Sequence, residues 1–477
     1  MKRYFAYRDL DLSSESRQIR LLKLLPAPSI NDDIRCTIYH SSLDDSPTYE
    51  ALSYVWGSED KKPFISVGYQ PQHSAEVSQQ HEAEDGDGSL DSGLQLDVTR
   101  NLHDALRHIR LPESERIMWI DAICINQELD LEKNHQVNLM GQIYKASKQV
   151  VLWLGEEKDS AIALNFLRKM PLGSNGYADS SSLNLKDEDS TDWAALSACE
   201  DLFLKRPYWH RSWILQEVVH GRDVTVYIGT QKLPIEDLLR HFTIFFVLRM
   251  AIISLLTSPY NKTEHEKGVM SIETWFRSAG AAKSMPNSLI NLRARFKQSS
   301  EEPRLAALLH TFRGQLAKKP KDKIYSLLGM AKKEYEIEIN YNPDETKGGL
   351  TTRSLYTLTT RKMLTRALSV LLWIESPARK ISCGLDGVEL PSWVPDFTHQ
   401  QQLTPLCLYS RIILFSADKG FPGGIKAAPS SVSDRCGIFT IRGVNVGCIT
   451  GTHVIHVTKK WSNDPTTSIC SSSSGIS

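Results

Sequence analysis

Four short apolar runs, separated by helical patterns, constrain the fold of this chain more than any other feature. They are Tyr49–Gly57, Ile117–Ile125, Val150–Gly155 and Val224–Gly229, and three of the four close on glycine. Runs of this length, bounded by turn residues, read as strands, and a continuous run such as Val150-Val151-Leu152-Trp153-Leu154 reads as a strand buried on both faces. Between them the period changes. Leu102, Ala105, Leu106 and Ile109 fall at i, i+3, i+4 and i+7, predicting a helix from Asn101, which is placed to cap it. Val137, Met140 and Tyr144 stripe a second helix over about 132–147, a further helix spans Ser160 to Lys169, and another contains Trp213 to Val219. Strand and helix in alternation imply an α/β fold with a parallel sheet covered on both sides.

The remainder is organised less regularly. Residues 70–93 are acidic and poor in large apolar side chains, residues 171–192 are similar, and 462–477 form a Ser-rich tail. None of these can bury enough apolar surface to offset the entropy of ordering. Residues 233–375 read as mainly helical, from the spacing of Leu305, Leu308 and Leu309 and of Tyr325 and Leu328. Residues 376–461 carry short β-like runs such as Gly437–Val446, so the C-terminal region is expected to be α+β.

Charge and cysteine usage exclude several classes. Lys+Arg and Asp+Glu balance at 56 each, so no net field draws the chain to nucleic acid or anionic lipid. The run Lys318-Lys319-Pro320-Lys321 reads as a solvated turn. The eight cysteines are scattered, with no C-x-x-C pair and no His at zinc spacing, so no metal site is expected, and reduced thiols fit a cytosolic or nuclear protein, with a cytoplasmic location expected. The start, MKRYFAYRDLDLSSES, lacks the apolar run of a secretory signal. Phe242–Leu256 is too short for a membrane span and carries Arg249, so a buried helix is expected. The absence of G-x-G-x-x-G and Walker patterns argues against a dehydrogenase or a P-loop enzyme.

Several motifs line up with one family. Tyr49-Glu50-Ala51-Leu52-Ser53-Tyr54-Val55-Trp56-Gly57, Trp119-Ile120-Asp121-Ala122-Ile123-Cys124-Ile125-Asn126-Gln127 and Arg206-Pro207-Tyr208-Trp209-His210-Arg211-Ser212-Trp213-Ile214-Leu215-Gln216-Glu217-Val218 resemble three signatures of the heterokaryon-incompatibility (HET) domain. Val151-Leu152-Trp153-Leu154-Gly155 stands between the second and third. Asp322-Lys323-Ile324-Tyr325-Ser326-Leu327-Leu328-Gly329 and Leu390-Pro391-Ser392-Trp393-Val394-Pro395-Asp396 are similar to segments that follow the domain. Glu132-Lys133 departs from the family's Glu-Arg, and lysine cannot replace a bidentate guanidinium contact. The resemblance implies a fungal protein of self/non-self recognition and programmed cell death, an innate-immunity type of effector. The implied organisation is an N-terminal extension (1–48), a HET domain (49–232) with its insertion near 70–93 and loop near 171–192, and the three C-terminal regions above.

The same element order resembles a TIR domain, a flavodoxin-like parallel sheet flanked by helices. In catalytic TIR domains a Trp-x-x-x-Glu pattern supplies a glutamate that assists NAD cleavage, and Trp213-Ile214-Leu215-Gln216-Glu217 has that spacing. The resemblance therefore implies Glu217 as the catalytic carboxylate, with NAD as substrate and no bound cofactor. Such a carboxylate would stabilise oxocarbenium character as the nicotinamide–ribose bond breaks. Ligands of open α/β sheets bind outside the carboxyl ends of the strands. That places Gly57 and Asp121 at the crevice, with Tyr54, Trp56, Trp209 and Trp213 available for stacking. Plainer roles exist for the same residues. Glu217 can pair with Arg211 or Arg206, Asp121 can cap a turn, the tryptophans can be core, Cys124 can be a buried hydrophobe, and His135 and His210 can be helix-face residues. The second functional reading is a non-catalytic module that self-associates, or binds a protein partner, through the HET domain.

Overall fold

The computed structural model describes residues 3–58, 60, 62–69, 94–170, 191–257, 285–298, 302–364, 390–391, 394–398, 429–433 and 438–441. The acidic insertion, nearly all of the 171–192 loop, the tail, and Ser392-Trp393 of the last motif lie outside the described residues. In chain order the elements that position the site are β1 (Arg3–Tyr4), β2 (Gln18–Leu24), β3 (Arg35–Ser42), β4 (Glu50–Ser53), β5 (Phe64–Tyr69), β6 (Leu94–Asp97), α1 (Arg100–Ile109), β7 (Arg116–Trp119), α2 (Asp121–Cys124), α3 (Asp130–Ala146), β8 (Gln149–Trp153), α4 (Ser160–Lys169), α5 (Thr191–Glu200), α6 (Ile214–His220), β9 (Val224–Ile228), β10 (Gln231–Pro234) and α7 (Ile235–Thr257).

The strands pair into one sheet in the order β1-β6-β5-β3-β2-β7-β4-β8-β9-β10. The four runs that the sequence marks as strands are neighbours in it, β7-β4-β8-β9, one strand in from the β10 edge. β4 runs parallel to β7 on one side (Ala51 beside Trp119) and to β8 on the other (Ala51 beside Val150), and β8 runs parallel to β9. Within this block the chain enters at β4, visits β5 and β6 on the far side of β3, returns through α1 to β7, and then crosses over β4 to β8. The expected run of consecutive parallel strands is limited to these four, although β3 and β5, and β1 and β6, also pair parallel. β2 lies antiparallel to β7, β3 antiparallel to β2, and β10 antiparallel to β9, so the whole sheet is mixed. The physical reason is local: the short links from β2 to β3 and from β9 to β10 return the chain directly, whereas parallel neighbours need a crossover element.

Burial follows the sequence pattern. Val150 to Trp153 are buried without interruption, as a strand covered on both faces requires, and Leu102, Ala105, Leu106 and Ile109 form the buried stripe of α1. Two local expectations change. Thr99, rather than Asn101, caps α1, its Oγ1 accepting from the Leu102 N–H at 3.4 Å. Asn101 instead ties two strand ends together, donating from Nδ2 to the Val55 carbonyl at 2.5 Å and accepting from Trp153 Nε1 at 3.1 Å. The run Ile117–Ile125 is also not one strand. It leaves the sheet after Trp119 and turns, with the Ile123 and Cys124 N–H groups both donating to the Ile120 carbonyl, which makes the short helix α2.

After β10 the described chain is helical, through α7, Met285–Gln298, Leu305–Thr311, Asp322–Leu328 and Thr352–Leu364. Two short strands, Pro429–Ser433 and Ile438–Ile441, pair antiparallel. The apolar stretch Phe242–Leu256 lies within α7, which buries Phe242, Phe245, Leu248 and Ile252 and sets Arg249 3.6 Å from Glu200. Among the described residues no helix is long and apolar enough to cross a membrane.

One buried ion pair joins the first strands to the central layer. Arg20, in the middle of β2, is fully buried, and its two terminal nitrogens meet both oxygens of Glu132 in α3 at 2.5 and 2.9 Å. The same guanidinium donates to the carbonyls of Cys124 and Arg8, and Glu132 also accepts from the Asn126 N–H. Removing one partner strands the other charge in the interior, which costs about 3–5 kcal/mol, whereas replacing both by apolar groups is far less costly. Arg20→Met is therefore expected to lower the unfolding free energy by about that amount, and Arg20→Met with Glu132→Leu to recover most of it. Denaturant unfolding of the three proteins checks this, and a loss below about 1 kcal/mol for the single variant would mean that the pair is effectively solvated.

Candidate functional site

The site begins where the chain leaves β4 and β7. Past Ser53 the segment Tyr54-Val55-Trp56-Gly57 passes over the end of the sheet, and Gly57, at φ +79°, makes the turn that carries it away. A side chain there would be strained by the backbone and would crowd the Asn101 Cβ at 3.3 Å. Past Trp119 the chain turns at once into α2, which leaves Asp121 at the carboxyl end of β7. The Trp56 indole N–H donates to Asp121 Oδ2 at 2.7 Å, and the Ala122 N–H donates to Asp121 Oδ1 at 2.8 Å.

These strand ends open into a cavity of about 570 Å³. Trp56, Gly57 and Asp121 line it from the sheet, and Lys133, Val137 and Met140 line it from α3. Arg211 and Trp213, just ahead of α6, form a third wall. The fourth comes from far along the chain, from Leu316–Lys319, Asp322 and Tyr341. That last wall is held in place by main-chain pairing: Ser212 N–H donates to the Leu316 carbonyl at 2.9 Å, and the Leu316 N–H donates to the His210 carbonyl. Gln315 Nε2 adds a bond to the Trp209 carbonyl at 2.8 Å. Lys323 is buried and donates to the carbonyls of Arg313 and Gln315, fixing the same segment from behind.

Arg211 connects the cavity to the core. Its guanidinium donates to the Tyr54 carbonyl, lies 3.4 Å from Asp121 Oδ2, and lies 3.7 Å from Glu217 Oε1. Glu217 lies behind it. Only 1% exposed, it accepts from Ser53 Oγ at 2.5 Å, and that hydroxyl is in turn 2.7 Å from Tyr208 Oη. The other oxygen, Oε1, accepts no hydrogen bond among the described residues and faces Arg211. Burial pushes the Glu217 carboxyl up to about 7, against the pull of Arg211 and Ser53 in the other direction.

Of the residues expected at a site, Trp56, Gly57, Asp121 and Trp213 meet on the cavity wall. Tyr54 and Trp209 do not line it and are each 1% exposed, with the Trp209 indole N–H donating to the Leu202 carbonyl. Glu217 shares a helical turn with Trp213, but it points into the core toward Ser53. Cys124 is buried, and burial pushes its thiol up to about 12, so it remains protonated. His210 lies on the wall, and one of its ring nitrogens is 2.8 Å from the Leu204 carbonyl. The run 318–321 is a turn that is solvated only in part, with Lys318 and Lys319 exposed and Lys321 buried. Lys318 and Lys319 line the cavity, and Lys321 is buried with its ammonium on the Asn340 carbonyl at 2.9 Å. Asp322 and Tyr341, joined by a 2.5 Å hydrogen bond, also escape a reading by local pattern. The only signal for them is Asp322 heading one of the motifs.

The Glu217 site makes a prediction about stability. Its carboxyl ionises near 7 in the fold and near 4.5 when free, so between those values the native state keeps a proton that the unfolded chain has lost. Stability then falls as pH rises through this window. Glu217→Gln cannot ionise, so across pH 4.5 to 7 its unfolding free energy is expected to gain on the parent's by about 3 kcal/mol. Denaturant titrations at several pH values check the slope, and parallel curves would show that Glu217 is ionised throughout.

The comparisons with known proteins agree on one family. The family described as heterokaryon incompatibility protein (HET) matches residues 49–217. Heterokaryon incompatibility protein 6, OR allele, of Neurospora crassa is 27% identical over 448 residues, covering 84% of this chain and 61% of that protein. This chain thus spans about three fifths of that relative's length. No solved structure matches the chain. The strand ends, the Arg211 wall and the buried Glu217 all fall within residues 49–217, the segment that matches the HET family.

Proposed function

We propose that this chain acts in heterokaryon incompatibility as an intracellular effector of programmed cell death, and that its HET domain does so by binding and hydrolysing NAD in the cavity at the strand ends. The observation that carries this reading is the meeting of Asp121, Arg211 and the Trp56 ring on the wall of a cavity large enough for a nucleotide, at the carboxyl ends of two parallel strands. The order of the four central strands (second, first, third, fourth in chain order) supports the TIR-like comparison, because doubly wound sheets of that order bind ligands at the same end.

The chemistry is hydrolysis of the bond between ribose C1′ and the nicotinamide nitrogen. That bond breaks with its electron pair going to the ring, and water adds to C1′ and releases a proton. The products are nicotinamide, ADP-ribose and a proton. Asp121 is the carboxylate on the cavity surface, placed to stabilise positive charge developing on the ribose. Trp56 holds that carboxylate through its indole N–H and offers a ring for stacking. Glu217, expected from the spacing to be the catalytic group, acts here as a positioning residue: it holds Arg211, which orients Asp121 and the Tyr54 carbonyl.

The burial of Glu217 also favours a second reading, in which the domain binds a ligand without cleaving it and signals by self-association or by binding a protein partner. NAD loss by purified, concentrated chain separates the two. For the enzyme, the parent converts NAD to nicotinamide and ADP-ribose, and Asp121→Asn lowers kcat by about 100-fold or more, of the order expected for a lost charge-stabilising group. Glu217→Gln gives a smaller loss of kcat and a changed pH profile. No nicotinamide from the parent, together with concentration-dependent self-association, would favour the binding module, and full activity in Asp121→Asn would remove that residue from the reaction.

A further inference from the structure

The charges around the cavity do not balance. Lys133, Arg211, Lys318 and Lys319 line it, against the two carboxylates Asp121 and Asp322. Both carboxylates are already engaged, Asp121 by Trp56 and Arg211, and Asp322 by the Tyr341 hydroxyl, so the attraction of Asp322 for Lys133 and Lys319 is shared between the two cations. Lys133 and Lys319 converge on one face of the site from opposite walls. Their ammonium groups lie 4.7 and 5.0 Å from the centroid of the same Tyr341 ring. Among the described residues neither makes an ion pair with a carboxylate, and Asn134, next to Lys133, is spent on the Tyr341 N–H. Two ammonium groups brought together at a half-buried position repel one another. Burial and the neighbouring Lys319 push Lys133 down to about 8. An arrangement of this kind is relieved by an anion that can meet both cations at once, and lysine is a common point-charge ligand for phosphate oxygens.

We propose that Lys133 and Lys319, with Lys318 beside them, form a phosphate-binding rim that holds the diphosphate of a nucleotide seated in this cavity. The rim spans two parts of the chain. Lys133 belongs to the family-matched segment, and Lys318-Lys319 belong to the segment that pairs with Ser212 and His210. A diphosphate suits this geometry because it carries more negative charge than a single carboxylate and spreads it over two groups, one for each lysine. The nucleotide's identity as NAD rests on the reading under Proposed function, and the anion rim itself does not.

The test is binding to the full chain by calorimetry, with inorganic pyrophosphate, ADP-ribose and adenosine as probes. Pyrophosphate and ADP-ribose are expected to bind, and more weakly as salt rises. Lys133→Ala with Lys319→Ala is expected to lower affinity for ADP-ribose by roughly 100-fold, the loss of two charge-assisted contacts, and to leave adenosine unchanged. Lys319→Ala alone, at an exposed position, is expected to lower it about 10-fold without disturbing the fold, and Lys133→Arg is expected to retain binding. Absence of pyrophosphate binding, or binding unchanged by the lysine variants, overturns the rim. Pyrophosphate binding without ADP-ribose binding overturns the nucleotide assignment. Lysine-dependent ADP-ribose binding without NAD turnover would uphold the rim and sink the hydrolase. NAD turnover with KM unchanged in the double variant would do the reverse.

Discussion

The site depends on the position of one guanidinium. Arg211 donates to the Tyr54 carbonyl just past β4, meets Asp121 just past β7, and faces Glu217 in the first turn of α6. It therefore fixes the relative placement of two strand ends and one helix, the three pieces that meet at this end of the sheet to form the cavity. The cost of burying Glu217 is offset only in part by this contact, which is why burial still dominates its titration. A lysine at position 211 could not serve all three partners, since a single ammonium lacks the planar fork that reaches a carbonyl and two carboxylates at once.

Arginines play this part repeatedly. Arg206 collects the carbonyls of Leu154, Glu156 and Glu157 just past β8, Arg110 those of Ser29, Asp32 and Asp33 before β3, and Arg293 those of Val218, Gly221 and Arg222 past α6. In each case the chain leaves an element and exposes carbonyls with no ladder partner, and one guanidinium satisfies several of them in the interior. A balanced overall charge thus hides an uneven use of it. Many of the cations are structural and inward-facing, whereas Lys133 and Lys319 at the cavity make no ion pair among the described residues.

How much of this was legible in the sequence depended on whether the signal was local. The four central strands and the helices α1, α3 and α6 were legible because burial on both faces, or on one stripe, writes a period into consecutive residues. That Trp56, Gly57 and Asp121 would lie at a cavity was legible because strand ends in a parallel sheet face a crevice, whereas Trp213 was named from its spacing to Glu217. The antiparallel outer strands were not, because β2 and β3 carry mixed patterns and their pairing is settled by which neighbour completes the sheet. Asn101 illustrates the limit. Its residue type and place suggest a cap, yet Thr99 takes that role and Asn101 bridges Val55 and Trp153, partners 46 and 52 residues away. Glu217 likewise has the spacing of a residue beside Trp213, but spacing does not say that Ser53 and Tyr208 would turn it inward.

The fourth wall of the cavity shows why the site cannot be described within the family-matched segment alone. Residues 316–341 pair with Ser212 and His210, place Gly329 against α6, and supply Asp322 and Tyr341. A Cβ at Gly329 would come within 2.4 Å of Gln216 Oε1, and Gln216 itself donates to the Tyr325 carbonyl. The helix that carries Glu217 is thus clamped between the sheet and the later segment, with close packing on both sides. Packed interfaces of this kind do not deform smoothly. A displacement of residues 316–341 would move Lys319 and Tyr341 away from Lys133 and, through the Ser212–Leu316 pairing, disturb the segment that sets Arg211. The geometry of Asp121 and the charge of the cavity mouth are therefore controlled by the same contact, made between parts of the chain a hundred residues apart.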